Sequence, residues 1–252
     1  SFDDCQKIVK ELFNDENFRT KINMSGVNSI NWARIVCQIV YYFYSYFKLK
    51  KDNISFSVPT GNFGDIYAGF IAKKMGLPIN KLIVATNEND ILQRVINTGE
   101  YKPDKVKASI SPSMDIQVAS NFERLLFYVV GQNDQKVSLL MDQLSKKGFF
   151  KLDQSTIQEI KKDFEAVKIN DEDTQLIMKN INDEFNFIID PHTATGFGAA
   201  KKIKGLDDIV VLGTAHPFKF SDTVKKATGK NLEAPSHLKM DVDKKEKFDI
   251  IE

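Results

Sequence analysis

Cysteine is almost missing: the 252 residues hold two, Cys5 and Cys37, and no metal-ligand spacing surrounds them. A disulfide scaffold is therefore excluded, a reducing compartment fits, and both thiols are expected as small buried side chains. A dominant charge is missing too, since 35 basic residues face 34 acidic ones for a formal net charge of +1. No whole-surface field draws the chain to nucleic acid or anionic lipid, so neither is expected as a partner. The longest apolar run, Ile35 to Phe47, is broken by Gln38 and Ser45 and is too short to cross a bilayer. It reads as a buried helix. No basic-then-apolar leader opens the sequence, so a cytoplasmic location is expected. Position 1 is Ser and not Met, as in a piece of a longer chain. What is present is a 42% hydrophobic, 27% charged composition, that of a folded chain able to bury a sizeable core.

Periodicity predicts a first helix through Leu12, capped by Asp3 or Asp4, with Cys5, Ile8, Val9 and Leu12 on one face. A second, from about Ile30 to Tyr46, carries Trp32, Val36, Ile39, Val40, Phe43 and Phe47 as its apolar stripe and is expected to be enclosed on most sides. Then follow a strand at Ile54–Val58, a loop, a helix at Asp65–Met75, a strand at Lys81–Ala85 and a helix at Asp90–Ile96. Strands joined by helical crossovers imply a parallel sheet flanked by helices, an α/β fold. A helix at Ala194–Ile203 leads into another short strand at Ile209–Leu212. Residues 111–187 read as a mainly helical insertion, with a brief strand candidate at Phe149–Leu152, and residues 230–252 as a polar tail.

Three segments carry candidate chemistry. In Val58-Pro59-Thr60-Gly61-Asn62-Phe63-Gly64-Asp65 a strand turns into a helix, and the two glycines let backbone N–H groups approach an anion at the helix start. The pattern lacks the Lys-Ser/Thr pair of a nucleotide P-loop and the G-x-G-x-x-G of a dinucleotide site. Taken alone, such a turn is more often a plain connection. In Asn28-Ser29-Ile30-Asn31-Trp32-Ala33-Arg34, Arg34 is the only charged residue between Lys21 and Lys48, and no carboxylate lies between Glu16 and Asp52. A guanidinium on an enclosed helix needs an anion, either from a distant carboxylate or from a ligand. Asn28 and Ser29, read as the helix cap, lie one turn back on its side. In Leu212-Gly213-Thr214-Ala215-His216-Pro217 a hydroxyl sits at the carboxyl end of a strand, where open α/β sheets bind ligands. His216 reads as a turn residue, Asp190-Pro191-His192-Thr193 as a helix start, and Ser113 and Asp115 as caps. His192, His216 and His237 have no metal-ligand spacing, so no metal is assigned.

These segments, with Ala85-Thr86-Asn87 and Asn89-Asp90 between them, resemble the threonine synthase family of fold type II pyridoxal-phosphate enzymes, and the helical block resembles its longer fungal and enterobacterial form. The resemblance implies part of that enzyme's large domain, with pyridoxal 5'-phosphate as cofactor. Gly61, Asn62, Phe63, Gly64 and Asp65 would hold the cofactor phosphate, Asn62 also the ring hydroxyl, and Thr214 the pyridine nitrogen. Asn28, Ser29 and Arg34 would grip the phosphate of O-phosphohomoserine, which the family converts with water to threonine and phosphate. The family's Schiff-base lysine lies in a Ser-Phe-Lys-Asp segment; Ser1-Phe2-Asp3-Asp4 has Asp3 in the lysine's place. The resemblance thus covers a carboxyl-terminal half, the lysine is expected upstream of Ser1 in the amino-terminal half as partner, and the chain alone is expected to be inactive. Two other readings fit parts of the pattern: a related lyase such as a dehydratase, whose phosphate-free substrate leaves Arg34 without an occupant, and a non-catalytic phosphate- or nucleotide-binding module.

Overall fold

The computed structural model describes residues 2–26 and 29–236. In chain order the elements are α1 (Phe2–Asn14), α2 (Glu16–Lys21), α3 (Trp32–Leu49), β1 (Ile54–Pro59), α4 (Gly64–Lys74), β2 (Ile79–Thr86), α5 (Ile91–Thr98) and β3 (Glu100–Tyr101). After a 3₁₀ turn at Pro112–Met114 come α6 (Phe122–Val129), α7 (Asp134–Lys147), β4 (Phe150–Lys151), α8 (Gln154–Asp163), β5 (Phe164–Lys168) and α9 (Asp171–Phe185). They are followed by α10 (Pro191–Lys202), β6 (Ile209–Val211), a second 3₁₀ turn at Pro217–Phe220, and α11 (Ser221–Thr228).

The main sheet runs β5-β2-β1-β6, and every neighbouring pair is parallel. Because side chains alternate across a strand, Ile54, Phe56 and Val58 of β1 and Leu82 and Val84 of β2 face one layer, formed with α3, α4, α5 and α6. Ile83 and Ala85 of β2 face the other, formed with α9, α10 and α11. Each fully buried Phe or Ile in these layers contributes roughly 1.5–3 kcal/mol relative to exposure. Close approach on both faces requires glycine: a Cβ on Gly196 of α10 would lie 2.9 Å from Val211 Cγ1, and one on Gly69 of α4 would lie 2.5 Å from Tyr42 Cε1. Ser57, on the α10 side of β1, donates its hydroxyl to Gly196 O at 2.7 Å.

Strand order sets the position of the cleft. The chain moves from β1 to β2 to β5 in one direction, then returns to place β6 on the opposite side of β1. The order therefore reverses between β1 and β6, and the loops at their carboxyl ends diverge there, leaving a crevice.

Several expectations are corrected. The block at 111–187 is not purely an insertion of helices, because β5 within it pairs with β2 over Phe164–Lys168 and forms the edge of the main sheet. The brief strand expected at Phe149–Leu152 is present at Phe150–Lys151, pairing with Tyr101 and Glu100 in a separate antiparallel ribbon. Helix α1 begins at Phe2, ahead of the aspartates expected to cap it, and its Ile8 and Leu12 are exposed. Helix α3 is not enclosed: it buries Ile35, Ile39 and Tyr42, while Trp32, Val36, Val40 and Phe47 of the expected stripe are exposed. A helix apolar on nearly every side gives periodicity no means of choosing the inner face. For the same reason Cys37 is exposed, as is Cys5 on α1. Most of the tail expected at 230–252, with His237, lies outside the described residues. No helix among the described residues is long and apolar enough to cross a membrane.

Candidate functional site

A cleft of about 590 Å³ opens at the β1/β6 crevice. Its floor is the turn from β1 into α4. Thr60 closes the strand by donating its backbone N–H to Ala85 O at 2.8 Å. Gly61 follows, and a Cβ there would lie 2.9 Å from Ser113 O and 3.1 Å from Ile116 Cδ1, because the 3₁₀ turn folds down over it. Phe63 then takes a left-handed conformation at φ 65°, unusual for a residue with a side chain. Its ring accounts for this: it is buried against Phe122 and Phe164 at 5.4 and 5.7 Å, so core packing offsets a backbone cost of about 1–2 kcal/mol. As N-cap of α4, Phe63 supplies no side-chain acceptor. The first N–H groups of α4 therefore remain as donors beside the cleft, at the positive end of the helix dipole.

Asp65 stands in the first turn of α4. Burial pushes its carboxyl up to about 6, against the opposing effect of a hydrogen bond from Tyr42. Asn62 is fixed on both sides: Ser120 Oγ donates to its Oδ1 at 3.0 Å, and its main-chain oxygen accepts from Asn121 N and Nδ2, both at 3.1 Å.

The opposite wall is the approach to α3. The helix cap is Asn31, whose side chain accepts from Ala33 N at 2.9 Å; this corrects the expectation that Asn28 and Ser29 form it. Ser29 lies before the cap with its Oγ buried and without a partner in the described protein, and it lines the cleft. Arg34 lines the cleft from the first turn of α3, exposed and not enclosed as expected. Thr214 enters from the loop after β6, where Leu212 N still donates to Ser57 O at 3.0 Å. Gly61, Asn62, Phe63, Gly64, Asp65, Ser29, Arg34 and Thr214 thus share one cavity, whereas Asn28 lies outside the described residues.

Ser113, His192 and Lys219 also line the cleft, though the sequence reading gave them no site role. His192 is buried on α10, its Nδ1 2.9 Å from Asp190 Oδ1. Ser113 N donates to His192 Nε2 at 3.2 Å, so the imidazole accepts at Nε2 and donates from Nδ1. Burial acts to raise the Asp190 carboxyl, but hydrogen bonds from His192 and Thr193 outweigh it and hold the group below its ordinary value. His216 is the turn residue its proline neighbour implied, accepting from Phe218 N at its Nδ1. Asp115 does more than end the 3₁₀ turn: its Oδ1 accepts from Asn87 and Asn89 at 2.8 and 3.0 Å, tying the end of β2 to the roof of the cleft. Lys219 brings a second cation to the rim.

The parallel sheet, its order reversal and the glycine turn at the crevice are the architecture of fold type II pyridoxal-phosphate enzymes. A maize serine racemase shares this fold at 13% identity and a TM-score of 0.52, over 85% of this chain and 59% of that one. Within that class the relationship is specific. Residues 193–252 match the family model for the threonine synthase C-terminal region. The threonine synthase of Saccharomyces cerevisiae is 45% identical over 250 residues, spanning 90% of this chain and 49% of the relative. That of Pseudomonas aeruginosa is 45% identical over 94% of this chain and 52% of the relative. The crystal structure of PLP-bound threonine synthase from Brucella melitensis superposes with a TM-score of 0.90 at 45% identity, over 100% of this chain and 55% of that one. The chain is similar to threonine synthases over nearly all of its own length, and it spans about half the length of the curated relatives it matches.

Proposed function

We propose that this chain is the carboxyl-terminal half of a threonine synthase. Joined to an amino-terminal half bearing the Schiff-base lysine, it takes part in the cytoplasmic conversion of O-phosphohomoserine and water to threonine and phosphate. The observation that carries the reading is that the glycine turn and the Ser29–Arg34 segment open into the same cleft.

Pyridoxal 5'-phosphate, when bound, supplies an electron sink for chemistry at the substrate's carbon chain. The residues present suit it. The floor admits a phosphate because Gly61 has no Cβ to meet Ser113 O and because the first turn of α4 keeps its N–H donors. Asn62, its Oδ1 taken by Ser120, has Nδ2 as the donor for a ring hydroxyl. Thr214 would meet the pyridine nitrogen with a neutral hydroxyl, which does not enforce a protonated ring.

Opposite, Arg34 and the buried Oγ of Ser29 would grip the substrate's phosphate, with Asn28 expected beside them. A guanidinium presents paired N–H groups in the geometry a phosphate accepts, and a desolvated hydroxyl without a protein partner gains from donating to one. Held there, the phosphate is both the handle that orients the substrate and the leaving group whose developing charge these donors stabilise. The roof formed by Ser113 and His192 would keep water out of one side of the cleft.

The missing half needs a docking surface, and α3 offers one. Val36, Val40, Tyr44 and Phe47 are exposed along it at helical spacing, an apolar stripe of the kind that marks an interaction surface. The decisive experiment mixes this chain with the amino-terminal half and assays phosphate release from O-phosphohomoserine. Release is expected only from the mixture. Turnover by this chain alone, or a mixture that processes an unphosphorylated hydroxy-amino acid in preference, would replace the reading with a self-sufficient enzyme or a dehydratase.

A further inference from the structure

One side chain joins the two walls of the cleft. Asn121, fully buried at the start of α6, donates from Nδ2 to Ser29 O at 2.9 Å and to Asn62 O at 3.1 Å, while its backbone N–H also donates to Asn62 O at 3.1 Å. Its remaining side-chain atom is engaged as well: Oδ1 accepts from Arg124 Nε at 3.0 Å. The same guanidinium reaches Ile30 O from Nη2 at 3.0 Å and stacks over the Trp32 ring at 5.5 Å. Asn121, the N-cap of α6, and Arg124 in its first turn thus hold two successive carbonyls of the segment leading to α3. Gly64 permits the approach, since a Cβ there would lie 3.4 Å from Asn121 Nδ2 and 3.7 Å from Ser29 O.

Resting on the function proposed above, we infer that Asn121, braced by Arg124, is a positioning residue that fixes the spacing between the cofactor turn and the substrate-phosphate wall. It touches neither ligand. Its amide bonds the main chain on both sides, so the direction of the buried Ser29 hydroxyl and the start of α3, with Arg34, are set relative to Asn62. The glycine turn has further anchors in β1, in α4 and in the Phe63 ring. Loss of the amide should therefore loosen the substrate wall more than the floor.

The test uses the intact protein that carries this chain, with Asn121→Ala, Arg124→Lys and Arg34→Ala compared with wild type. Expected for Asn121→Ala are rises of about tenfold or more in KM for O-phosphohomoserine and in Kd for inorganic phosphate measured by calorimetry, with kcat at saturation and the absorbance of bound pyridoxal 5'-phosphate within about twofold. Arg124→Lys, which keeps Asn121 but loses the fork that braces it, should give a smaller rise of the same kind and supplies the answer if the first variant does not fold. A merely architectural role instead lowers the active fraction and kcat with KM and phosphate affinity unmoved, and that result overturns the inference. If Arg34→Ala raises KM while the Asn121 and Arg124 variants do not, the inference fails and the functional reading stands. If none of the three moves KM, both fail.

Discussion

Tyr42, on the inner face of α3, donates its hydroxyl to the main-chain oxygen of Asp65 at 2.8 Å and to the carboxylate Oδ1 at 3.3 Å. The contact links a helix otherwise largely exposed to the first turn of the helix beneath the cleft, where burial raises the Asp65 carboxyl to about 6. Because the folded-state value lies above that of the unfolded chain, the native state holds this proton longer, and stability falls as pH rises from about 4 through about 6. Asp65→Asn removes the charge and keeps the shape. In the cofactor-free protein it should be close to neutral at pH 4 and stabilising by roughly 2–3 kcal/mol at pH 8, read from urea unfolding across that range. A difference that does not change with pH would show that Asp65 titrates normally.

Asp190 should behave with the opposite sign. Its carboxylate caps α10, accepting from His192 N at 2.9 Å and from the Thr193 hydroxyl, and it is held below its ordinary value. Its stabilising effect is complete above the unfolded-state value and fades as pH falls through the lower folded one. Asp190→Asn is expected to cost about 2–4 kcal/mol at pH 7, through a lost cap and buried donors left without a charged acceptor, and less at pH 3. A cost equal at both pH values would mean that the charge contributes nothing.

The two glycines of the turn should differ. Gly61→Ala drives a methyl to within 2.9 Å of a carbonyl oxygen, whereas at Gly64 the nearest atom is 3.4 Å away. Affinity for pyridoxal 5'-phosphate, followed by fluorescence quenching, should fall at least tenfold, about 1.4 kcal/mol, for the first and only a few-fold for the second. Equal effects would mean that the closeness of the 3₁₀ turn is not what demands glycine.

Thr214→Val exchanges a hydroxyl for a methyl of similar shape at the end of β6. The bound cofactor's absorption maximum should move while stability, because Thr214 is exposed, changes by no more than about 0.5 kcal/mol. An unmoved maximum would remove Thr214 from the pyridine ring.

The outer stripe of α3 is open to a direct trial. Val40, 61% exposed, can become Glu without entering the core. Val40→Glu should leave this chain's unfolding curve in place and prevent assembly with the amino-terminal half by size-exclusion chromatography. Undiminished assembly would place the joint elsewhere.

Legibility in the sequence followed the range of the interactions. Gly61 and Gly64 announced the turn because strand, glycine spacing and helix start are adjacent, and Thr214 was marked by the strand ending just before it. Asn121 carries no such mark, for its acceptors Ser29 and Asn62 lie 92 and 59 residues away. His192 was read correctly as part of a helix start, but the contact that sets it in the cleft wall comes from Ser113, 79 residues distant. Strand β5 was hidden because Phe164-Glu165-Ala166-Val167-Lys168 sits among polar helices and becomes a strand by pairing with β2. The inner face of α3 was undecidable locally, since Val36 and Val40 are as apolar as Ile35 and Ile39.

The left-handed backbone of Phe63 is held by aromatic packing beneath it, so the grip proposed for the turn would be tuned from the core. Trimming Phe122 or Phe164 would alter affinity for an anion that neither ring ever meets. Changes in those interior rings would then retune the turn without altering any residue that faces the cleft.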